Sequence, residues 1–181
     1  MRIIAGEWKG RRIEAPKGRA VRPTSDRARE AWMSIVHPHL PGATVLDLCA
    51  GTGALGLEAL SRGAKFVDFV EATTRTARVL KENIHSLDAG ARCAVHEDDA
   101  LRFLKKLTRS GALPYHVAFA DPPYRMGLAE AIAAQWLARP FAAVLGVEHE
   151  ARLQLPGAHD SRRYGDTAVT FYRSEEATSL P

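Results

Sequence analysis

From residue 44 onward the chain alternates short apolar runs with segments of helical period, and few architectures accommodate that rhythm. TVLDL (44–48), FVDFV (66–70), ARCAVH (91–96), VAFA (117–120) and AAVLGVEHE (142–150) read as strands. Between them, ALGLEALSR, TRTARVLKENIHSL, ALRFLKKL and residues 128–138 repeat apolar side chains three and four apart, the spacing of amphipathic helices. A helical connection carries the chain back to the end of the sheet where it began, so strands joined this way run parallel and are covered on both faces. After Leu155-Pro156-Gly157 the rhythm breaks. Two β-like pieces near 161–173 are separated only by Gly165-Asp166, which predicts an antiparallel hairpin. The expected fold is Rossmann-like α/β, a mostly parallel seven-stranded sheet with an antiparallel C-terminal edge.

The first forty residues do not follow that rhythm. RIIAG and RRIEA read as two short strands around GEWKG, followed by the basic loop KGRAVRPTSD. A helix follows, carrying Ala28, Ala31, Trp32, Ile35 and Val36, with Thr24 or Ser25 as its cap and Asp26 in the first turn. The stretch from His37-Pro38 to Pro41-Gly42 marks a boundary, so residues 1–40 are expected to be an extension and 41–181 the main domain. Charge separates the same two parts. Residues 1–30 hold nine Lys/Arg against four acids, a net +5, leaving −1 for the rest of a chain whose total is +4. An anionic partner gripped at one end fits that asymmetry, although a solvated basic face is the plainer alternative. The phosphate-contact candidates are Lys9, Arg11, Arg12, Arg19, Arg22, Arg27 and Arg29. Trp8 is either a base-stacking ring or a hairpin-core residue; Trp32 and Trp136 are most simply core.

Cys49 and Cys93 lack CxxC partners, and the seven histidines lack ligand spacing, so neither a disulfide framework nor a metal site is expected. With no 18-residue apolar run, the expectation is a cytoplasmic monomer.

The most specific local motif is VLDLCAGTGALGLEAL (45–60), a strand entering Gly51-x-Gly53-x-x-Gly56 as a helix begins. Such a loop lets a ligand approach backbone N–H groups at a helix start. Glu71 lies where an acid would meet ribose hydroxyls, so an NAD-dependent oxidoreductase fits the spelling. Asp47 argues against it. A carboxylate inside a buried strand needs donors or a cation, and it would repel a pyrophosphate. S-Adenosylmethionine supplies an ammonium, a ribose and an adenine, matching Asp47, Glu71 and one of Asp98 and Asp99, with Asp99 the better placed, at three successive strand ends. Ala50, Gly51, Gly53 and Ala100 flank those acids. Asp98 is better read as a cap or surface acid.

The fourth strand ends at Asp121-Pro122-Pro123-Tyr124, a corner no strand or helix can continue through. Ligands of open α/β sheets sit at the carboxyl ends of the strands, which puts this corner beside the cofactor cleft. A carboxylate and the Pro122 carbonyl can accept both hydrogens of an exocyclic amine, freeing the conjugated nitrogen lone pair for in-line transfer, while Tyr124 stacks on the base. The residues leave open whether Asp121 takes the proton or only orients the amine.

DPPY after VLDLCAGTGALG, together with RIIAGEWKGRRI, RPTSDRARE (22–30), GALGLEALSRGA (53–64) and YGDTAVTFYR (164–173), resembles the RsmD family over essentially the whole chain. Those enzymes are bacterial 16S rRNA guanine-N2 methyltransferases. The resemblance implies a class I S-adenosylmethionine-dependent methyltransferase with an N-terminal β-hairpin extension, acting on a guanine in the assembling small ribosomal subunit. It also implies that Asp47, Gly51, Gly53, Glu71 and Asp99 hold the cofactor and that Asp121 to Tyr124 hold the target base. Arg22 and Thr24 would close over cofactor or RNA. Glu71 is followed by Ala72-Thr73-Thr74, where family members often carry an acid or other polar residue directly after the glutamate. Another nucleic-acid amino methyltransferase, acting on adenine N6 of RNA or DNA, is the nearest rival. A protein or small-molecule methyltransferase would have no evident use for the basic arm, and a non-catalytic RNA-binding module would not depend on Asp121.

Overall fold

A computed structural model of the chain describes residues 1–15, 26–110, 115–124, 127–158 and 160–174, without the side chains of 26–28 and 110. The elements are α1 (Asp26–Val36), β1 (Thr44–Asp47), α2 (Ala54–Ser61), β2 (Phe66–Val70), α3 (Thr74–Ser86), β3 (Cys93–His96), α4 (Ala100–Ser110), β4 (Tyr115–Ala120), α5 (Leu128–Ala138), β5 (Ala142–Glu150), β6 (Asp160–Tyr164) and β7 (Thr167–Arg173). They form one seven-stranded sheet in the order β3-β2-β1-β4-β5-β7-β6. The strands β1 to β5 run parallel, and β7 pairs antiparallel with both β5 and β6. The expected architecture is thus observed. Chain order reverses between β1 and β4, which opens a cleft at their carboxyl ends.

Alternation along the strands sends side chains to two cores. Val45, Phe69, Phe119, Val144 and Phe171 face one layer with residues of α1, α2 and α3. Leu46, Ala118, Leu145 and Tyr172 face the other, with Leu104 of α4 and Ile132 and Trp136 of α5. Trp32 of α1 meets Phe119 and Phe171 edge-on, at centroid distances of 5.7 and 6.4 Å. Both Trp32 and Trp136 are core residues, as their helical spacing predicts. β3 starts at Cys93, two residues later than expected, because Gly90–Arg92 forms a 3-10 turn closed by the Arg92 N–H on the Ala89 carbonyl.

The N-terminal pairing is a correction to the sequence reading. RIIAG and RRIEA make a single antiparallel bridge, Arg2 with Arg12, and not two strands. The Ile3, Gly10 and Ile13 N–H groups bond across the pair, but the Arg11 N–H, which would extend the ladder, turns back to the Trp8 carbonyl, and further donors leave the pair. Ile4 and Ala5 N–H groups donate to the Glu58 carboxylate at 2.8 and 3.0 Å, and the Trp8 N–H donates to Ser61 Oγ at 2.9 Å. Asn83 clamps the far end: its Oδ1 accepts the Glu14 N–H, and its Nδ2 donates to the Glu14 and Thr52 carbonyls. Glu58 and Asn83 are buried polar residues; these backbone groups satisfy Asn83 and, together with the Arg62 Nε–H at 2.8 Å, the Glu58 carboxylate. Ile3, Trp8 and Ile13 therefore join the same core as α1 and the sheet.

Candidate functional site

The glycine loop is built around one carboxylate. As α2 begins, its first N–H groups lack intrahelical partners. Asp47 Oδ2, at the end of β1, accepts one of them, the Gly56 N–H, at 3.0 Å. Gly53 caps the helix in the left-handed region at φ +85°, where a side chain would be strained. Gly56 permits the close approach of α2 to β2: a Cβ there would stand 2.2 Å from the Phe69 ring. Gly51 is different, since nothing lies within 4 Å of where its Cβ would be, leaving an open side to the loop. Its N–H donates to Glu71 Oε2 at 2.9 Å, and the Thr73 N–H donates to Oε1 at 2.8 Å. The Ala50 N–H donates to the Val70 carbonyl, tying the loop to β2.

Asp47 is 1% exposed, and its Oδ1 is buried without a hydrogen-bond partner among the described residues. Burial pushes its pKa up to about 7, the charges of Asp121 and Glu71 add to the rise, and the Gly56 N–H opposes it. A carboxylate so placed is stabilised by a cationic group arriving at its open oxygen. The residues thus fit the ammonium-bearing cofactor expected from the sequence.

At the third strand end the two neighbouring acids separate. Asp99 Oδ1 caps α4 by accepting the Arg102 N–H at 3.0 Å, and the buried Ala100 begins that helix. Asp98, its side chain 10% exposed, binds Lys106 at 2.7 Å and pairs with Arg102 at 3.0 Å.

The corner after β4 buries Pro122, exposes Pro123 and leaves Tyr124 half-buried. The Tyr124 hydroxyl donates to Glu148 Oε1 at 3.2 Å and lies 2.7 Å from Thr167 Oγ1. A phenol has one proton, so with that proton on Glu148 the Thr167 hydroxyl donates to the phenolic oxygen. Burial raises the Tyr124 pKa to about 12, with the Glu148 and Asp121 charges contributing. The ring is therefore a neutral, tethered plate. Beside it lies a cavity of about 380 Å³, whose lining includes Pro122, Pro123, Tyr124, Leu128, Glu148 and His149. His149 Nδ1 meets the Glu150 carbonyl, so Nε2 accepts from Thr170, and this locks the cavity's β5 wall to β7.

The basic residues divide. Lys9, Arg11 and Arg12 are exposed, whereas Arg29 is 1% exposed and donates to the Arg2 carbonyl at 2.7 Å. Arg29 therefore cannot reach a phosphate, a correction whose cause is α1 packing that side of the helix inward. Trp8 is buried beneath the Arg92 guanidinium, 4.8 Å from its ring, so the core reading applies. Arg19, Arg22, Thr24, the Ser25 cap and the side chains of Asp26 and Arg27 lie outside the described residues.

Sequence reasoning missed Glu58, Ser61, Asn83, Glu148 and Thr167. Glu58 and Asn83 stand on amphipathic helices where polar residues look solvated. Glu148 interrupts the apolar run of β5, which is the one local hint it carried.

A family model described as conserved hypothetical protein 95 matches residues 1–173. Among curated relatives, ribosomal RNA small subunit methyltransferase D of Escherichia coli K12 is 35% identical, over 97% of this chain and 90% of that one. The putative rRNA methyltransferase YlbH of Bacillus subtilis is 30% identical, over 96% and 98%. The solved structure of the putative methyltransferase yhhF from Escherichia coli superposes with a TM-score of 0.83 at 34% identity, covering 97% of this chain and 98% of that one.

Proposed function

The chain belongs to the RsmD family, whose model bears the description conserved hypothetical protein 95, and from that membership we propose that it transfers a methyl group from S-adenosylmethionine to the exocyclic N2 amine of a guanine in 16S rRNA of the small ribosomal subunit. The observation that carries this reading is the junction of β1 and β4. A buried carboxylate oxygen on Asp47, unpartnered among the described residues, stands one strand away from the rigid Asp121-Pro122 corner, and the two charges sense each other. The relatives named for rRNA methylation support the substrate class.

When bound, S-adenosylmethionine supplies an electrophilic methyl on a sulfonium. The roles of the chain's own residues follow from their positions. Asp47 takes the cofactor's ammonium at its open oxygen. Glu71, held by the Gly51 and Thr73 N–H groups, presents its remaining lone pairs to ribose hydroxyls. Asp99 and Ala100 border the adenine, and Ala50, Gly51 and Gly53 form the loop floor. At the corner, Asp121 and the Pro122 carbonyl accept the two amine hydrogens, which unconjugates the nitrogen lone pair and aims it. Pro123 stiffens the corner, and Tyr124 stacks on the base. Preorganised acceptors of this kind act by alignment and electrostatics, so their removal is felt in turnover.

In this reading residues 1–40 are the RNA-binding extension and 41–181 the methyltransferase domain, working in the cytoplasm on assembling subunits. Exposed Lys9, Arg11 and Arg12 contact phosphates, as do Arg22, Thr24 and Arg27 from the adjoining segment. The test is methyl transfer from labelled S-adenosylmethionine to small subunits isolated without their modifications, followed by nucleoside analysis. N2-methylguanosine at one position, absent with Asp121→Ala, is the expected result. N6-methyladenosine would overturn the base, and no RNA product from a folded, cofactor-binding enzyme would overturn the substrate.

A further inference from the structure

Glu148 is 5% exposed and lies two residues before the end of β5, in the wall of the 380 Å³ cavity beside the target corner. The register pairs Ala120 of β4 with Val147 of β5, so the next residues along, Asp121 and Glu148, are neighbours across adjacent strands. Strand spacing puts their backbones about 5 Å apart. Both charges act on the Tyr124 hydroxyl, which donates directly to Glu148. A base stacked on Tyr124 with its amine at Asp121 thus has a second carboxylate along the same edge. Guanine carries hydrogen on both N1 and the 2-amine along that edge, whereas adenine carries a lone pair at N1.

We propose that Glu148 accepts the N1–H of the target guanine and is the residue that selects guanine over other amine-bearing purines. This rests on the guanine-N2 reading above. Asp121 and Pro122 recognise an amine and do not distinguish which purine bears it. A second acceptor beside N1 makes that distinction, since a purine with a lone pair at N1 would set acceptor against acceptor in a dry site. Sites built to hydrogen-bond a ligand N–H reject analogues lacking it far more strongly than apolar pockets reject shape changes. A purely structural role, holding Tyr124, would instead affect every base alike.

The experiment uses small-subunit particles reconstituted with guanosine or 2-aminopurine riboside at the modified position. 2-Aminopurine keeps the 2-amine and lacks the N1–H. The wild type is expected to favour guanosine by about 10²-fold or more in kcat/KM. In Glu148→Gln the preference is expected to fall below about tenfold, because an amide can donate to a bare N1 as well as accept from N1–H. Tyr124→Phe, which keeps the ring and removes the tether, should retain the preference. A wild type that uses both particles equally overturns the proposal without any variant, so a misfolded variant cannot shelter it. A Glu148→Gln enzyme that slows on both particles with its preference intact also overturns it and leaves Glu148 as a positioning residue for Tyr124. If native particles yield a product other than N2-methylguanosine, the functional reading itself fails. N2-methylguanosine without discrimination sinks only the role of Glu148.

Discussion

The two sides of the cleft are held in different ways. On the cofactor side, around β1, β2 and β3, the acids are fixed by backbone N–H groups: Asp47 by Gly56, Glu71 by Gly51 and Thr73, Asp99 by Arg102. On the target side, Tyr124 is fixed by side chains, Glu148 from β5 and Thr167 from β7. Backbone anchors arise wherever a strand meets a helix start, so they accompany the local sequence. Side-chain anchors require three separate elements to be assembled. Under the proposed function, cofactor recognition is a property of a supersecondary unit, while base recognition is a property of the finished sheet.

That contrast breaks most visibly at Asp121. Asp121→Ala is expected to cut turnover by about 10³-fold while leaving cofactor affinity nearly unchanged, as isothermal titration alongside single-turnover assays would register. Loss of cofactor binding in that variant would mean the two sides are not separable.

The next largest effect concerns the cofactor side's backbone. Gly56→Ala would force its Cβ to within 2.2 Å of the Phe69 ring, so α2 or the ring must shift. A loss of about 2 kcal/mol of stability by chemical denaturation is expected, with weakened cofactor binding. An unchanged midpoint would show that the contact between α2 and β2 is looser than the geometry requires.

Asp47 sharpens the comparison through pH. Its folded pKa of about 7 lies above the ordinary 3.8, so the folded chain keeps an extra proton between those values, and stability falls as pH rises through that window. Asp47→Asn should therefore melt higher than the wild type at pH 8 and nearly match it at pH 4. Cofactor affinity in the wild type should rise with pH up to about 7 as the carboxylate ionises. The asparagine variant should bind about tenfold more weakly at pH 8 and lose that pH dependence. Weakened binding with the pH dependence intact would assign the titration to another group.

Tyr124→Phe is the smallest of the four. The ring stays and two hydrogen bonds go, so turnover should drop by roughly threefold with no change in cofactor affinity. A drop as large as that of Asp121→Ala would mean that the hydroxyl tether, and not the ring, positions the base.

Alternating apolar runs fixed the layered α/β sheet, its parallel core and the Gly165-Asp166 hairpin, because burial on both faces leaves a periodic trace in any one strand or helix. The same locality made the glycine loop, Asp47, Glu71 and the DPPY corner readable: each is a strand end joined to a turn within a few residues. Other features left no such trace. Arg29 looked like a phosphate ligand and is buried in α1; RIIAG looked like a strand, but its Ile4 and Ala5 N–H groups donate to Glu58, 54 and 53 residues away. Glu148 meets Tyr124 only because β5 lies beside β4, and Thr167 only because β7 folds back against β5. Sequence alone determined the elements and the glycine loop, since backbone periodicity and turn chemistry are local. The tertiary structure decided how the N-terminal segment is docked and which side chains hold Tyr124, since those contacts depend on strand order, which no short stretch of residues encodes.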